Sequence, residues 1–262
     1  MMGTRQFKGL LVVIPHSGIL IPNEIPPDSV SGEFPRLMRN VDWHANWLYD
    51  FGDILGNSQL VFPYCNLILE ANRHPARLDE SVPLKDVFGE AVYQPGREPD
   101  RKLRQSLSRK YLRRFHQDIS AEISRGKTFI LDAHSTLTAR GVADNQIELM
   151  NRQLVDPDGE PAYFCPDLFI ETYASELQKL LPGVKVTVNE SGYDRVYGHV
   201  CGAHSVNAMT RVGSRVPAIL QETNQKLYLN PDQLPNMEAL ERLRRAFAEA
   251  LYRMSRKIAI SA

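Results

Sequence analysis

The stretch Thr128-Phe-Ile-Leu-Asp-Ala-His134-Ser135 is the part of this sequence that best indicates its fold. Its apolar part, Phe129 to Leu131, is typical of a strand that is buried on both faces of a sheet. Asp132 and His134 follow where such a strand would end, and open α/β sheets bind their ligands beyond the carboxyl ends of their strands. Taken alone, a core histidine satisfied by the neighbouring aspartate is the simpler explanation. A functional explanation depends on the rest of the chain.

Apolar runs elsewhere in the chain alternate with amphipathic helical patterns. The runs that predict strands cover 10–14, 59–63, 67–69, 184–188 and 216–220, and the helical patterns cover 37–51, 100–123, 168–181 and 237–260. Strands that alternate with helices predict an α/β fold with a largely parallel sheet. We therefore expect a three-layer α/β sandwich with a mostly parallel mixed sheet. No repeat, low-complexity segment or linker is visible, so residues 1–262 are expected to form a single domain.

The charge composition argues against a nucleic-acid-binding or membrane-surface protein. Lys plus Arg and Asp plus Glu number 31 each, which gives a formal net charge of zero. Proteins that bind polyanionic surfaces usually carry a clear basic excess. The richest basic segment, Arg97 to Arg114, has helical spacing and is interpreted as a solvated helix face. We therefore expect no nucleic-acid partner and no membrane partner, and the oligomeric state stays open.

The cysteines and the apolar runs indicate the compartment. Cys65, Cys165 and Cys201 show no CxxC spacing and are odd in number, which fits free thiols in a reducing compartment. The run at 10–14 is too short for a signal peptide and is interrupted by Pro15-His16. No run approaches the roughly 20 apolar residues that cross a bilayer. We therefore expect a cytoplasmic protein.

Polar residues follow four of the predicted strands or apolar runs: His16, Asn72-Arg73, His134 and Glu222. Two neutral imidazoles together with the carboxylate of Asp42 are a ligand set suited to a catalytic zinc, which keeps a position open for water. Zinc lowers the pKa of its water towards neutrality. A nearby carboxylate can then move protons, and an arginine can stabilise a carboxylate or a developing oxyanion. The pattern therefore predicts metal-assisted hydrolysis.

Each of these residues also has a structural explanation. His16 could cap its loop, and Asp42 could be a helix N-cap before Trp43. Arg73 could pair with Glu70, and Glu222 could be a paired acid at a strand end. A serine hydrolase is disfavoured because no G-x-S-x-G elbow occurs in the chain.

Seven short motifs connect the sequence to a known family. They occur in the order Pro15-His16-Ser17-Gly18, Asp42-Trp43-His44 with Leu48-Tyr49, Asn72-Arg73, Phe115-His116, Asp132-Ala133-His134-Ser135, Thr210-Arg211-x-Gly213, and Gln221-Glu222 with Gln225 and Leu227-Tyr228. Together they resemble the N-formylglutamate amidohydrolase family over almost the whole chain. That family is similar to the zinc carboxypeptidases and aspartoacylases. The resemblance implies their zinc-carboxypeptidase/phosphorylase-hydrolase-like fold and a single zinc.

The resemblance also implies roles for individual residues. The pair Asn72-Arg73 resembles the pair that grips a substrate carboxylate in those enzymes. Glu222 matches the position of their general base, and Arg211 that of a further carboxylate-binding arginine. Asn66 stands where aspartoacylases carry an arginine that polarises the scissile carbonyl, so an expected electrophile is replaced by an amide.

The resemblance leaves more than one candidate for the third metal ligand. The carboxypeptidase-type His-x-x-Glu is absent, since Ile19 stands three residues after His16. Asp42 is therefore the expected ligand beside His16 and His134, with Glu24 and His44 as alternatives.

The expected function is that of a zinc-dependent amidohydrolase. Its small-molecule substrate would be an N-acylated acidic amino acid such as N-formyl-L-glutamate, from which it removes a formyl-like group. An alternative from a different class is a degenerate family member that binds an acyl-amino acid or a metal without turnover. The replacement at Asn66 is the feature that supports this alternative.

Overall fold

The computed structural model describes residues 6–137, 141–153, 162–192, 198–206 and 215–258. Within them, a six-stranded sheet has the order β2-β1-β3-β8-β4-β7. Its strands are β1 (Leu10–Ile14), β2 (Ser58–Val61), β3 (Phe129–Thr136), β4 (Gln146–Met150), β7 (Lys185–Val188) and β8 (Ala218–Asn224). The short strands β5 (Arg152–Gln153) and β6 (Ala162–Tyr163) pair separately.

The sheet is mostly parallel, as the sequence predicts. β1 pairs with β2 and β3, and β3 pairs with β8, all in parallel. β4 runs antiparallel to β8 and parallel to β7. Every residue of β1 and β3 is buried, because helices cover both faces of these central strands.

The described helices are α1 (Phe34–Leu37), α2 (Ala45–Leu48), α3 (Gly52–Leu55), α4 (Leu78–Ser81), α5 (Arg101–Leu107), α6 (Arg113–Ser124), α7 (Asp167–Leu180), α8 (His199–His204) and α9 (Met237–Lys257). Apolar residues of α2, α3, α7 and α9 form one buried cluster with one face of the sheet. Residues of α5, α6 and α8 join a second cluster on the other face. The predicted three-layer α/β sandwich is therefore confirmed.

Three predictions about individual elements are wrong. The pattern at 37–51 forms α1, a 3-10 turn at Met38–Asn40 and α2 rather than one helix, and His44 interrupts it with a φ of 57°. Residues 67–69 form a buried turn instead of a strand, since the Ile68 and Leu69 amides both donate to the Cys65 carbonyl. The sequence also failed to predict β4.

The helix predicted over 100–123 is present, and Asp100 caps it by accepting a hydrogen bond from the Leu103 amide at 2.7 Å. It contains a π-helical segment, Ser108–Leu112, between α5 and α6. No helix of the described residues is long and apolar enough to span a membrane.

Candidate metal centre and substrate cavity

Three predicted ligands come together at the carboxyl ends of β1 and β3. Nδ1 of His134 lies 3.1 Å from Nδ1 of His16. Oδ2 of Asp42 lies 3.4 Å from the first nitrogen and 3.7 Å from the second. Asp42 is not the helix cap that its position allowed, because α2 has His44 as its N-cap. Its backbone amide donates instead to the His16 carbonyl at 3.1 Å, which ties the two ligands together.

The other ring nitrogens of both histidines face carboxylates. Nε2 of His134 lies 2.9 Å from Oδ1 of Asp132. Nε2 of His16 lies 2.5 Å from Oε1 of Glu70. Each carboxylate accepts a hydrogen bond from Nε2–H, so in the neutral rings both Nδ1 atoms carry lone pairs. Two nitrogen lone pairs and a carboxylate oxygen therefore point at the same small region.

This arrangement fits a metal ion. Oδ2 of Asp42 is buried and makes no hydrogen bond within the described part of the chain. The ligand atoms of His16, Asp42 and His134 all lie within 4.8 Å of one another. Ligands at the usual distances around a tetrahedral zinc are about 3.3 Å apart, close to the separations observed. Carboxylates behind metal-bound histidines are a common arrangement, since they fix the tautomer and the ring orientation. These three residues could hold a metal ion.

Glu70 is held ionised by its surroundings. Burial alone would raise the pKa of its carboxyl, but the charges of His16 and Arg73 and the hydrogen bond from His16 lower it to about 2. The Asn72 amide also donates to Oε1 of Glu70 at 2.8 Å. The sequence allowed a purely structural pairing of Arg73 with Glu70. In the structure the two residues interact electrostatically, and both line the cavity beside His16.

The Asn72 side chain lies behind His134. Its Oδ1 accepts a hydrogen bond from the Val200 amide at 2.8 Å, which orients the carboxamide. Its Nδ2 then lies 3.1 Å from Nε2 of His134 and 3.5 Å from Oδ2 of Asp132. Asn72 is 3% exposed. The described contacts of its carboxamide are with His134, with Asp132 and with the Val200 amide. Its role towards substrate stays a prediction.

Glu222 lies beside His134 on the neighbouring strand. The two residues are Cα partners in the β3–β8 register, and Glu148 of β4 is the partner of Glu222 on its other side. Partners in register project to the same face of a sheet. Glu222 therefore lies on the same face as His134, near the carboxyl ends of the strands where the sequence placed it.

A cavity of about 200 Å³ opens over this region. Its lining includes His16 and Glu70 together with two cations, Arg73 and Lys85. Asn66 also lines it, and its Nδ2 donates to the Asn40 carbonyl at 3.2 Å. The sequence did not identify Lys85, and its exposed position in a Pro- and Asp-rich segment gave no pattern to find it by.

Several residues of the family motifs hold the backbone around the ligands. The Tyr49 hydroxyl donates to the His134 carbonyl at 2.8 Å. Nε2 of Gln225 donates to the Val41 carbonyl at 2.9 Å, next to Asp42, and to Oγ of Ser135 at 3.1 Å. These motif residues therefore fix the main chain on either side of the metal ligands.

The two alternative ligands, Glu24 and His44, have other partners, and one predicted residue is not among the described residues. Glu24 pairs with Lys110 at 2.6 Å and accepts from Tyr111, so the structure does not bring it to the histidines. His44 contacts the rings of Trp43 and Trp47. Arg211, expected to bind a second carboxylate, lies outside the described residues.

Solved structures share this fold. An N-formylglutamate amidohydrolase from Ralstonia eutropha JMP134 superposes with a TM-score of 0.72 at 18% identity, covering 97% of this chain and 95% of that chain. A gene product of Agrobacterium tumefaciens gives a TM-score of 0.65 at 14% identity, with 96% and 92% covered. At these identities the similarity establishes the fold alone.

Sequence comparison identifies the family as well as the fold. N-formylglutamate deformylases of Pseudomonas putida and Pseudomonas aeruginosa are 30% identical over 146 residues and 27% identical over 138 residues. Each match covers 48% of this chain, and the chain spans about half the length of these curated relatives, 51% in both cases. Residues 8–229 match the family model described as N-formylglutamate amidohydrolase. The chain belongs to the N-formylglutamate amidohydrolase family.

Proposed function

We propose that this protein is a zinc-dependent amidohydrolase that removes a formyl or similarly small acyl group from an N-acylated acidic amino acid such as N-formyl-L-glutamate. The observation that carries the proposal is the convergence of three lone-pair donors, from His16, Asp42 and His134, beside a cavity that also contains Arg73. Both relatives from Pseudomonas are N-formylglutamate deformylases, which supports the same reaction class.

His16, Asp42 and His134 would hold the zinc, which supplies a Lewis acid and lowers the pKa of a water molecule. Asp132 and Glu70 keep the Nδ1 atoms of the two histidines unprotonated and aimed at the ion. This orientation costs nothing during the reaction, because the hydrogen bonds already exist in the folded protein.

Glu222 would act as the general base and then as the general acid. It takes a proton from the attacking water and delivers it to the nitrogen of the leaving amine as the C–N bond of the amide breaks. Its position next to His134 in the β3–β8 register supports this role. The products would be formate and the free amino acid.

Arg73 would bind the α-carboxylate of the substrate, with Asn72 orienting the neighbouring groups. A planar guanidinium binds a carboxylate through two parallel hydrogen bonds. Arg211 would bind the second acidic group, as the family resemblance implies. Asn66 would offer an amide where an arginine is expected, which makes a weaker electrophile towards the scissile carbonyl.

The test combines metal content with product release. Purified protein, reconstituted with zinc, is assayed for formate and primary amine release from N-formyl-L-glutamate, with N-acetyl-L-glutamate and uncharged N-formyl amino acids alongside. We expect one zinc per chain, turnover of an acidic N-formyl substrate, and loss of both after chelation. If the protein bound no zinc, the proposal of a metal centre at His16, Asp42 and His134 would be wrong.

The non-catalytic alternative is tested in the same experiment. It is favoured by Asn66, whose amide already donates to the Asn40 carbonyl. Zinc binding and substrate binding without turnover of any member of the panel would identify a degenerate member. If Asn66→Arg then restored turnover, the replacement of arginine by Asn66 would be the cause of the lost activity.

A further inference from the structure

A cleft of about 250 Å³ lies outside the candidate active site, between the helix that starts at Arg101 and the segment Pro75–Leu78. Its lining consists of Pro75, Ala76, Leu78, Arg101, Gln105, Ser108, Arg109 and Arg113. Three arginines therefore line the cleft, and none of its lining residues is acidic. In contrast, the cavity over His16 contains Glu70, Asp79, Glu80 and Asp86 beside its two cations.

The three arginines differ from three other cations of the same helix in their partners. Arg104 pairs with Asp79 at 2.8 Å, Lys110 with Glu24 at 2.6 Å, and Arg114 with Asp118 at 3.1 Å.

By contrast, Arg101, Arg109 and Arg113 form no ion pair with any residue that the structure describes. Like charges that share one cleft repel one another. A cleft with this charge pattern favours an anion from solution.

The wall opposite the arginines is fixed to the helix. Oγ of Ser108, which is 2% exposed, donates to the Pro75 carbonyl at 2.6 Å. The Ala76 amide donates to Nδ1 of His74 at 3.1 Å. Ser108 begins the π-helical segment Ser108–Leu112, and such segments frequently occur at functional sites. The cleft therefore has a defined shape on both sides.

The arginines lie along one helix face. Arg101, Arg109 and Arg113 follow one another at multiples of four residues, with Gln105 in the remaining position. At about 1.5 Å per residue, Arg101 lies about 12 Å along the helix from Arg109, whereas Arg109 and Arg113 are about one turn apart. Guanidinium groups bind oxyanions through paired N–H donors. The pair Arg109 and Arg113 therefore matches an oxyanion with more than one charged oxygen, and Arg101 and Gln105 extend the same exposed face.

We propose that this cleft binds a small oxyanion carrying two or more negative charges, of the kind found in inorganic phosphate or a phosphomonoester. The site is separate from the metal centre and does not depend on the proposed hydrolase reaction.

The test measures binding of inorganic phosphate and, separately, of glycerol phosphate to the full-length zinc-loaded protein by isothermal titration calorimetry, with sodium chloride at matched ionic strength. Arg109→Gln and Arg113→Gln remove one charge each from the cleft. Arg114→Gln is the matched control, because it removes the same charge from the same helix outside the cleft. The two ligands distinguish a free phosphate site from one that needs an organic substituent.

We expect saturable binding of one anion per chain, weakened about tenfold or more by each cleft variant, as expected when a charge-assisted contact is lost. Arg114→Gln should leave the affinity within about twofold. Three results would overturn the proposal. They are no saturable binding to the wild type, equal weakening in the control, and binding that survives in both cleft variants, which would locate the anion at the metal centre or elsewhere.

Discussion

Two groups of buried or partly buried histidines lie in this protein, and they have different partners. In the first group, His16 and His134 each direct one nitrogen at a carboxylate. In the second group, His116 pairs with the Ala71 carbonyl at 3.0 Å through Nε2 and with Nε2 of His204 at 3.1 Å through Nδ1. The ring of His199 packs edge-on against His116.

The partners shift the pKa of His134 and the pKa values of His116 and His204 in opposite directions. Burial alone would lower the pKa of His134, but Asp132 and Asp42 raise it well above its ordinary value. In the second group burial dominates, and it lowers the pKa of His116 to about 4 and that of His204 to about 3. Burial by itself therefore lowers the pKa of a histidine. The carboxylates around His134 reverse that effect, and carboxylates in this position commonly orient histidines towards a metal ion.

Asp132 marks the boundary between the two groups. Its Oδ1 faces His134, while Sγ of Cys201 donates to its Oδ2 at 3.6 Å. The same carboxylate thus faces a predicted metal ligand and contacts α8, which carries His199 and His204. The difference between the groups can be tested by changing one member of each.

The largest expected effect comes from removing a histidine. His134→Ala should abolish zinc binding and turnover while the protein stays folded, because a catalytic metal contributes less to folding than a closed structural site. His204→Ala removes an imidazole from the second group and should keep its zinc at a lowered melting temperature. Metal analysis and circular dichroism on both variants check this. Loss of zinc from both would mean that the two groups form one functional unit.

Glu222→Gln should have the next largest effect. The variant retains the shape of the side chain but not its basicity, so turnover should fall by about 10²–10⁴-fold while zinc binding persists. If Glu222 were only a structural acid, Glu222→Gln would have a lowered melting temperature and a nearly normal kcat in the folded fraction. Measuring kcat, zinc content and melting temperature on one preparation decides between these roles.

Asp132→Asn tests the boundary residue. An amide cannot stabilise the same tautomer of His134 as strongly, so zinc affinity should fall by about 10–100-fold, the usual effect of losing a group that orients a ligand. Competition with a chelator of known affinity measures the change. Ser124→Ala, whose hydroxyl bonds only to the Ser120 carbonyl at 2.9 Å within the described residues, is the control and should leave the affinity unchanged. An unaltered affinity in Asp132→Asn would show that the carboxylate is merely structural.

The sequence predicted the central strands β1 and β3 because each contains a continuous apolar run. All of β1 and residues 129–131 of β3 are hydrophobic, which follows from their burial on both faces. β4 escaped prediction because it buries Gln146 and Glu148, two polar residues that interrupt any apolar pattern. Their burial is possible because they bond to one another and to Thr187, a contact that the sequence alone does not show.

The metal site was predictable in part. His16 and His134 follow strands or lie at their ends, and the register then brings Glu222 beside His134. The contact of Asp132 with His134 was predicted, and the structure has it at 2.9 Å, since residues two apart in a strand share a face. The contact of Glu70 with His16 could not be predicted, because 54 residues separate the two and no local pattern links them.

The smallest expected effect concerns the second histidine group and the pH dependence of stability. In the unfolded chain a histidine takes up a proton near pH 6.5, whereas folded His116 stays neutral down to about pH 4. Between these values the unfolded state binds more protons, so the free energy of unfolding should fall as the pH is lowered, by about 1 kcal/mol per pH unit for this residue. His116→Gln keeps a donor for the Ala71 carbonyl but removes the titration. We therefore expect its free energy of unfolding in urea to decline less steeply than that of the wild type between pH 6 and pH 5, by about that amount. Parallel declines would show that His116 takes up its proton equally in both states, and the contrast between the two groups would then rest on the carboxylates around His134 alone.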